Sequence, residues 1–324
     1  MRLPALCLAL LSAAAFAAEP FLRSGDVIAL VGGEDMVVAG EYGYLELLLT
    51  RALPEHRLKF RTLAWEGDTV FEQRRDLNFP PLEKQLDEVG ATVVICQFGQ
   101  MESLAGKEKL PEFVAAYEKL IDRMRGGGKR RIALIEPHSF EPRKAADGSR
   151  AMSSDVAENF RNGVTELAYK FKLPCVGACP VLQTDNPFPA RTRDGVHLIA
   201  VAQLEQARVA TFELRWGGHG LFGDHRADAV VLDSLDSVER DGTMATSQLE
   251  KLRLAIIAKN RLWFDYWRVE NWAFLAGDRT SQPSSRDHLD KDKRWFPAER
   301  DRFLPLIEAR EKEIWEAAAK LARP

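Results

Sequence analysis

Four short segments of the chain carry residue types that could do chemistry together: Val31-Gly32-Gly33-Glu34-Asp35, Gly67-Asp68-Thr69, Gly99-Gln100-Met101-Glu102-Ser103 and Asp194-Gly195-Val196-His197. The fourth is the most interpretable. A carboxylate three residues before a histidine can accept the imidazole Nδ1–H, fixing the tautomer and supporting the imidazolium formed in proton transfer. An isolated D-x-x-H is common by chance, and this one gains weight because it follows the fifth predicted strand. Glu34 supplies a second carboxylate, and Gly67 is a residue whose backbone N–H can approach a ligand oxygen closely. The candidate catalytic set is therefore Glu34, Gly67, Asp194 and His197, with Gly33, Gly99, Met101 and Glu102 as candidate ligand contacts.

For these segments to meet, each must leave the same edge of a sheet. Apolar runs at Val27–Gly32, Leu58–Ala64, Thr92–Gln97, Arg131–Ile135 and Leu173–Ala178 read as strands. Helical patterns lie between them at Tyr42–Leu53, Leu82–Val89, from Pro111 to Met124 and from Val156 to Phe171, with a last one at Leu198–Ala210. Strands separated by helices imply a parallel sheet covered on both faces. The expected fold is a three-layer, flavodoxin-like α/β/α domain over roughly residues 20–212, with the usual strand order 2-1-3-4-5. In such folds ligands sit just past the carboxyl ends of the strands, where all four segments lie.

Residues 213–324 read as a short hairpin and a mostly helical extension. Phe212–Trp216 and Ala229–Leu232 suggest short strands, the capping box Ser247-Gln248-Leu249-Glu250 starts a helix, and a closing helix runs from about Pro297 to Leu321. Five of the seven tryptophans fall between Trp263 and Trp315. Rings that close the extension over the sheet domain are preferred to a carbohydrate-stacking surface.

Composition narrows the setting. A formal net charge of -3 gives no support for nucleic acid or an anionic membrane as partner. Met1-Arg2, the apolar run Leu3–Ala14 and Ala15-Phe16-Ala17 have the form of a signal peptide over residues 1–17, so an exported protein, periplasmic or secreted, is expected. No later segment has the roughly 18 uncharged residues that a membrane span needs. Removing the leader leaves Cys96, Cys175 and Cys179, an odd number that argues against a disulfide framework and fits core thiols. No cofactor is indicated, and nothing here fixes an oligomeric state.

In order and spacing the chain resembles the SGNH/GDSL hydrolase superfamily, in particular an exported branch with a helical C-terminal extension. The resemblance rests on Gly25–Gly32, the Tyr42–Leu49 helix, Leu63–Val70, Phe98–Ser103 and Asp194–Leu198, and in the extension on Lys259–Phe264 and Trp267-Arg268. It implies ester hydrolysis by a serine, with the Asp-x-x-His histidine as base and a glycine and an asparagine among the oxyanion donors. His197, Asp194 and Gly67 match these positions. Glu34 falls where the serine belongs and Met101 where the asparagine belongs. Losing one oxyanion donor typically costs about 10²–10³ in rate, and losing the nucleophile removes the acyl-enzyme route.

Three readings of Glu34 follow, in order of preference. It is ion-paired with His197 in a site that binds an acylated or glycan-type ligand without turnover. Alternatively Glu34 or His197 activates water, as in an ester hydrolase acting on carbohydrate or cell-wall acetyl groups. Last, Glu34, Asp35, Asp194 and His197 hold a divalent cation. A shifted nucleophile, Thr69 or Ser103, and a scaffold acting through the extension are the remaining options. His138, His219, His225 and Arg286 are weaker candidates, each better read as a loop residue.

Overall fold

The computed structural model describes residues 19–141, 154–178, 191–216 and 244–321. Its strands are β1 (Val27–Gly32), β2 (Lys59–Thr62), β3 (Val93–Gln97), β4 (Arg131–Ile135) and β5 (Cys175–Val176). They form one parallel sheet in the order β2-β1-β3-β4-β5, as the alternation of elements predicts. β1 sits between β2 and β3, and its register sets Gly32 opposite Gln97, so the ends of these strands finish side by side.

Period-two alternation along the strands builds the layers. Ala29, Val31, Val94, Cys96, Ile132 and Leu134 point to one side and pack with α3 (Leu82–Glu88), α5 (Leu110–Arg125) and α6 (Ser154–Phe171). Ile28, Leu30, Phe60, Val93, Ile95 and Ala133 point to the other side. There they meet α1 (Glu34–Tyr42), α2 (Tyr44–Ala52) and α7 (Ala200–Trp216). The short α4 (Gln100–Ser103) follows β3. The body is a three-layer α/β/α sandwich. Cys96 lies in its core, where burial pushes the thiol up to about 12, and the Tyr117 hydroxyl lies 3.4 Å from its Sγ.

Four expectations need correction: Ser247-Gln248-Leu249-Glu250 lies inside a helix that begins at Met244, the closing helix expected from about Pro297 breaks at Arg302, and two concern the sheet domain. The helix expected at Tyr42–Leu53 is α2, beginning two residues later, and a separate α1 precedes it, because Gly43 turns into the left-handed region (φ 69°) between them. A Cβ at Gly43 would lie 3.1 Å from Ile256, so the turn also admits a close neighbour. Phe212–Trp216 is no strand but the end of α7: Ala207, Ala210 and Leu214 continue one buried helical face. A five-residue apolar run cannot by itself distinguish the two. The companion segment Ala229–Leu232, the leader at residues 1–17, Cys179, His219 and His225 lie outside the described residues.

The extension is helical: α8 (Met244–Trp267), α9 (Trp272–Leu275), α10 (Trp295–Asp301) and α11 (Phe303–Leu321). α8 and α11 pack on each other and on α2 through Leu47, Leu252, Ile256, Ile314 and Ala318. Trp263 and Trp267 are buried and stacked, ring centroids 5.2 Å apart. Trp263, Trp272 and Trp315 donate their indole N–H groups to the carbonyls of Thr62, Leu77 and Leu58, so these rings close over the sheet domain. Among the described residues no helix is long and apolar enough to cross a membrane.

Candidate functional site

The site begins where β1 stops. Gly32 is crowded: a Cβ there would lie 2.5 Å from the Gln97 carbonyl oxygen and 2.7 Å from Met36 Cγ. Only a glycine lets β1 pair with β3 and turn at once into α1. At Gly33 a Cβ would come within 3.0 Å of the Asp68 carbonyl, so the loops after β1 and β2 touch. α1 then opens on Glu34 and Asp35, two acids at a helix N-terminus, where its dipole favours negative charge.

The two acids point to different partners. Glu34 Oε1 lies 3.3 Å from His197 Nε2. The other ring nitrogen, Nδ1, is bonded to Asp194 Oδ2, while Asp194 Oδ1 accepts the N–H groups of Val196 (3.0 Å) and His197 (2.8 Å). The result is a row of carboxylate, imidazole and carboxylate. Burial raises the Asp194 carboxyl, but the bonds from the His197 and Val196 backbones and the imidazole outweigh it and hold the group below the usual carboxylate range. Burial also raises Glu34, against the opposing pull of His197. Asp194 takes Nδ1, and the Glu34 carboxyl stands at ion-pair distance from Nε2.

Asp35 goes the other way. Its Oδ1 lies 3.0 Å from Nε2 of His138, a fully buried ring whose Nδ1 lies 3.1 Å from the Ser139 carbonyl oxygen. Each ring nitrogen thus has an oxygen acceptor within reach. Burial lowers the His138 pKa, but the charge and hydrogen bond of Asp35 and the Ser139 carbonyl raise it overall. The Gln100 amide lies against this ring, 3.0 and 3.1 Å from its nitrogens, and donates to the Val196 carbonyl at 3.3 Å. Asp35, Gln100 and Val196 are the chain neighbours of Glu34, Met101 and His197. One buried polar cluster thus ties together the three loops that present the candidate site.

In the sequence His138 could line the crevice but is better read as a loop histidine, and Gln100 stands in the segment after β3 with no role of its own. The available signal was the position of His138 just beyond β4, at the same sheet edge as the other segments. Glu102 likewise works inside the scaffold: its two oxygens accept the N–H groups of Val70 (2.8 Å) and Gly99 (2.9 Å), bracing the loops after β2 and β3. Gly99, in the left-handed region (φ 118°), opens α4, and Met101 on that turn is 42% exposed. Gly67 is exposed, also left-handed (φ 79°), beside Asp68, whose carboxylate takes a two-pronged bond from Arg75.

Of the shifted nucleophiles, Ser103 is buried and donates to the Gln100 carbonyl at 2.6 Å, and Thr69 Oγ1 accepts the Glu72 N–H. The four residues considered for a cation do not converge, because Asp35 faces His138. Among the described residues no group of three or more His, Cys, Asp or Glu could hold a metal ion.

No family model and no curated protein sequence gives a significant match to the chain. Solved structures do. A protein named as a GDSL-like lipase from Parabacteroides merdae is similar at 17% identity and TM-score 0.45, over 60% of this chain and 98% of that one. A carbohydrate acetylesterase from Sinorhizobium meliloti follows at 12% identity and TM-score 0.40, over 58% and 98%. A protein assigned to the SGNH hydrolases from Slackia heliotrinireducens has 14% identity and TM-score 0.43, over 58% and 98%. The resemblance is to the SGNH/GDSL hydrolases. At these identities the SGNH/GDSL likeness is one of fold, and fold alone does not specify chemistry.

Proposed function

We propose that this chain is an exported protein with an SGNH-type body, residues 20–212, whose polar site holds an acylated or glycan-type ligand without serine-ester turnover. Residues 1–17 act as its signal peptide, the residues after α7 as its extension, and its place is the periplasm or the medium outside the cell. The observation that carries the reading is the 3.3 Å approach of Glu34 Oε1 to His197 Nε2. A base serving serine chemistry needs Nε2 facing a hydroxyl. Here a carboxylate occupies that side, and the thioether of Met101 offers no N–H to an oxyanion. A fluorophosphonate probe is expected to leave every Ser and Thr of the folded protein unlabelled. A covalent adduct on any of them in the mass spectrum would overturn the proposal.

One observation favours a second reading, direct activation of water. Burial raises the Glu34 carboxyl beside an imidazole already oriented by Asp194, the arrangement a general base or acid requires. That reading predicts hydrolysis of acetyl esters, aryl and sugar alike, falling by about 10²-fold or more in Glu34→Gln and in His197→Ala. Turnover with that pattern would replace the first reading, and no turnover across the panel would end the second.

A further inference from the structure

A pocket of about 210 Å³ lies between α1, the end of β2 and α8, with apolar walls from Val37, Ala64, Ile257, Trp263, Phe264 and Trp267. Four of these six residues belong to α8, so the cavity exists only because the extension packs on the sheet domain. It opens beside the candidate site. Val37 and Glu41, both at the pocket, follow Glu34 by three and seven residues and share its face of α1. On the opposite rim stands Glu66, immediately before Gly67.

The rim carries Glu41, Glu66, Arg261 and Arg268, two charges of each sign. Arg268 is bonded to Glu66, and Arg261 pairs with Asp265 at 2.9 Å. The half-open Phe264 ring lies near both guanidinium groups, 5.0 Å from Arg261 and 4.9 Å from Arg268. A rim with matched charges gives no advantage to a charged ligand, whereas the walls favour an apolar one. Size narrows it further: an apolar cavity of about 150 Å³ holds a benzene ring. The pocket therefore suits a single ring or a short acyl chain, and excludes a long lipid tail.

We propose that this pocket receives the neutral acyl or aryl group of the ligand whose polar part lies at Glu34 and His197, and that α8 sets its size. The proposal rests on the reading of Glu34 and His197 as a ligand site, and the test separates the two. The probe is N-benzylacetamide, which joins one ring to an amide carbonyl and has no ester to lose. It is expected to bind the full chain saturably, shifting the indole N–H resonances of Trp263 and Trp267, while acetamide leaves them in place. Ile257→Trp fills the cavity and should raise Kd at least about tenfold, the loss expected when one buried ring is excluded. Phe264→Ala, at the solvent-facing mouth, should raise Kd severalfold and keeps the test open if Ile257→Trp does not fold. No saturable binding, or the same Kd in both variants, overturns the proposal. If the two pocket variants lose binding while Glu34→Gln and His197→Ala retain it, the pocket stands and the reading of the polar site falls.

Discussion

Two adjacent acids at the start of α1 do opposite work. Glu34 faces the solvent-accessible crevice and His197; Asp35 faces inward and pairs with a histidine that has no exposed surface. The buried pair has a pH consequence. A histidine whose folded pKa is raised contributes stability that is fully present below its unfolded value and is lost as pH rises through the folded one. His138 is such a group. The melting temperature should therefore decline as pH rises above about 6.5, the ordinary imidazole value, and Asp35→Asn should flatten that decline. An equal slope in Asp35→Asn, measured by differential scanning fluorimetry, would show that the pair is not its source. The residues at the strand ends were legible in the sequence because an apolar run ending in glycine marks a chain leaving a sheet. The cluster around His138 was not, because Asp35, Gln100, His138 and Val196 come from four separated segments, and no spacing announces that they meet.

At the scale of elements the extension is held to the body by more than rings. Lys259 of α8, fully buried, reaches Glu46 of α2 at 2.8 Å, and Arg61 of β2 reaches Glu311 of α11 at 2.5 Å. Burial pushes Glu46 up and Lys259 down, against the attraction between them. Such a pair adds little relative to apolar residues, but removing one partner strands the other. Lys259→Met should destabilise the protein by about 3–5 kcal/mol in urea titrations, and the double variant Glu46→Leu/Lys259→Met should recover most of that loss. A double variant as unstable as the single one would mean that packing of the lysine stem, not the stranded carboxylate, carries the effect. Local pattern foretold the long, strongly periodic helices at α5 and α6, and it found α8 and α11 with misplaced starts, at Ser247 for Met244 and at Pro297 for Phe303. It missed α1, which Gly43 sets apart from α2, and it missed the end of α7, where tertiary burial rather than composition decides. Both misses lie where a distant helix sets the local outcome.

For the whole molecule the consequence is an edge strand covered in a particular way. β2 is the outermost strand on its side of the sheet, and a bare edge invites pairing with another chain. Here α8 and α11 lie along it. Trp315 bonds the carbonyl of Leu58, just before the strand, and Trp263 bonds that of Thr62, its last residue, both at 2.9 Å. Arg61, between them, is anchored to Glu311 and lies 4.9 Å from the Trp263 ring. Removing the extension would strip all of these contacts and bare Trp65, Phe79 and the apolar flank of β2, which now pack beneath α8 and α9. A chain ending at residue 243 should therefore form oligomers or aggregate at concentrations where the full chain elutes as one species. Its body should also be cut by protease at β2 before the rest of the sheet. Size-exclusion chromatography with light scattering, followed by limited proteolysis, reads both. A truncated chain that stays the same size class and resists protease would show that the sheet domain closes its own edge. The extension would then serve only the pocket that α8 walls beside Glu34.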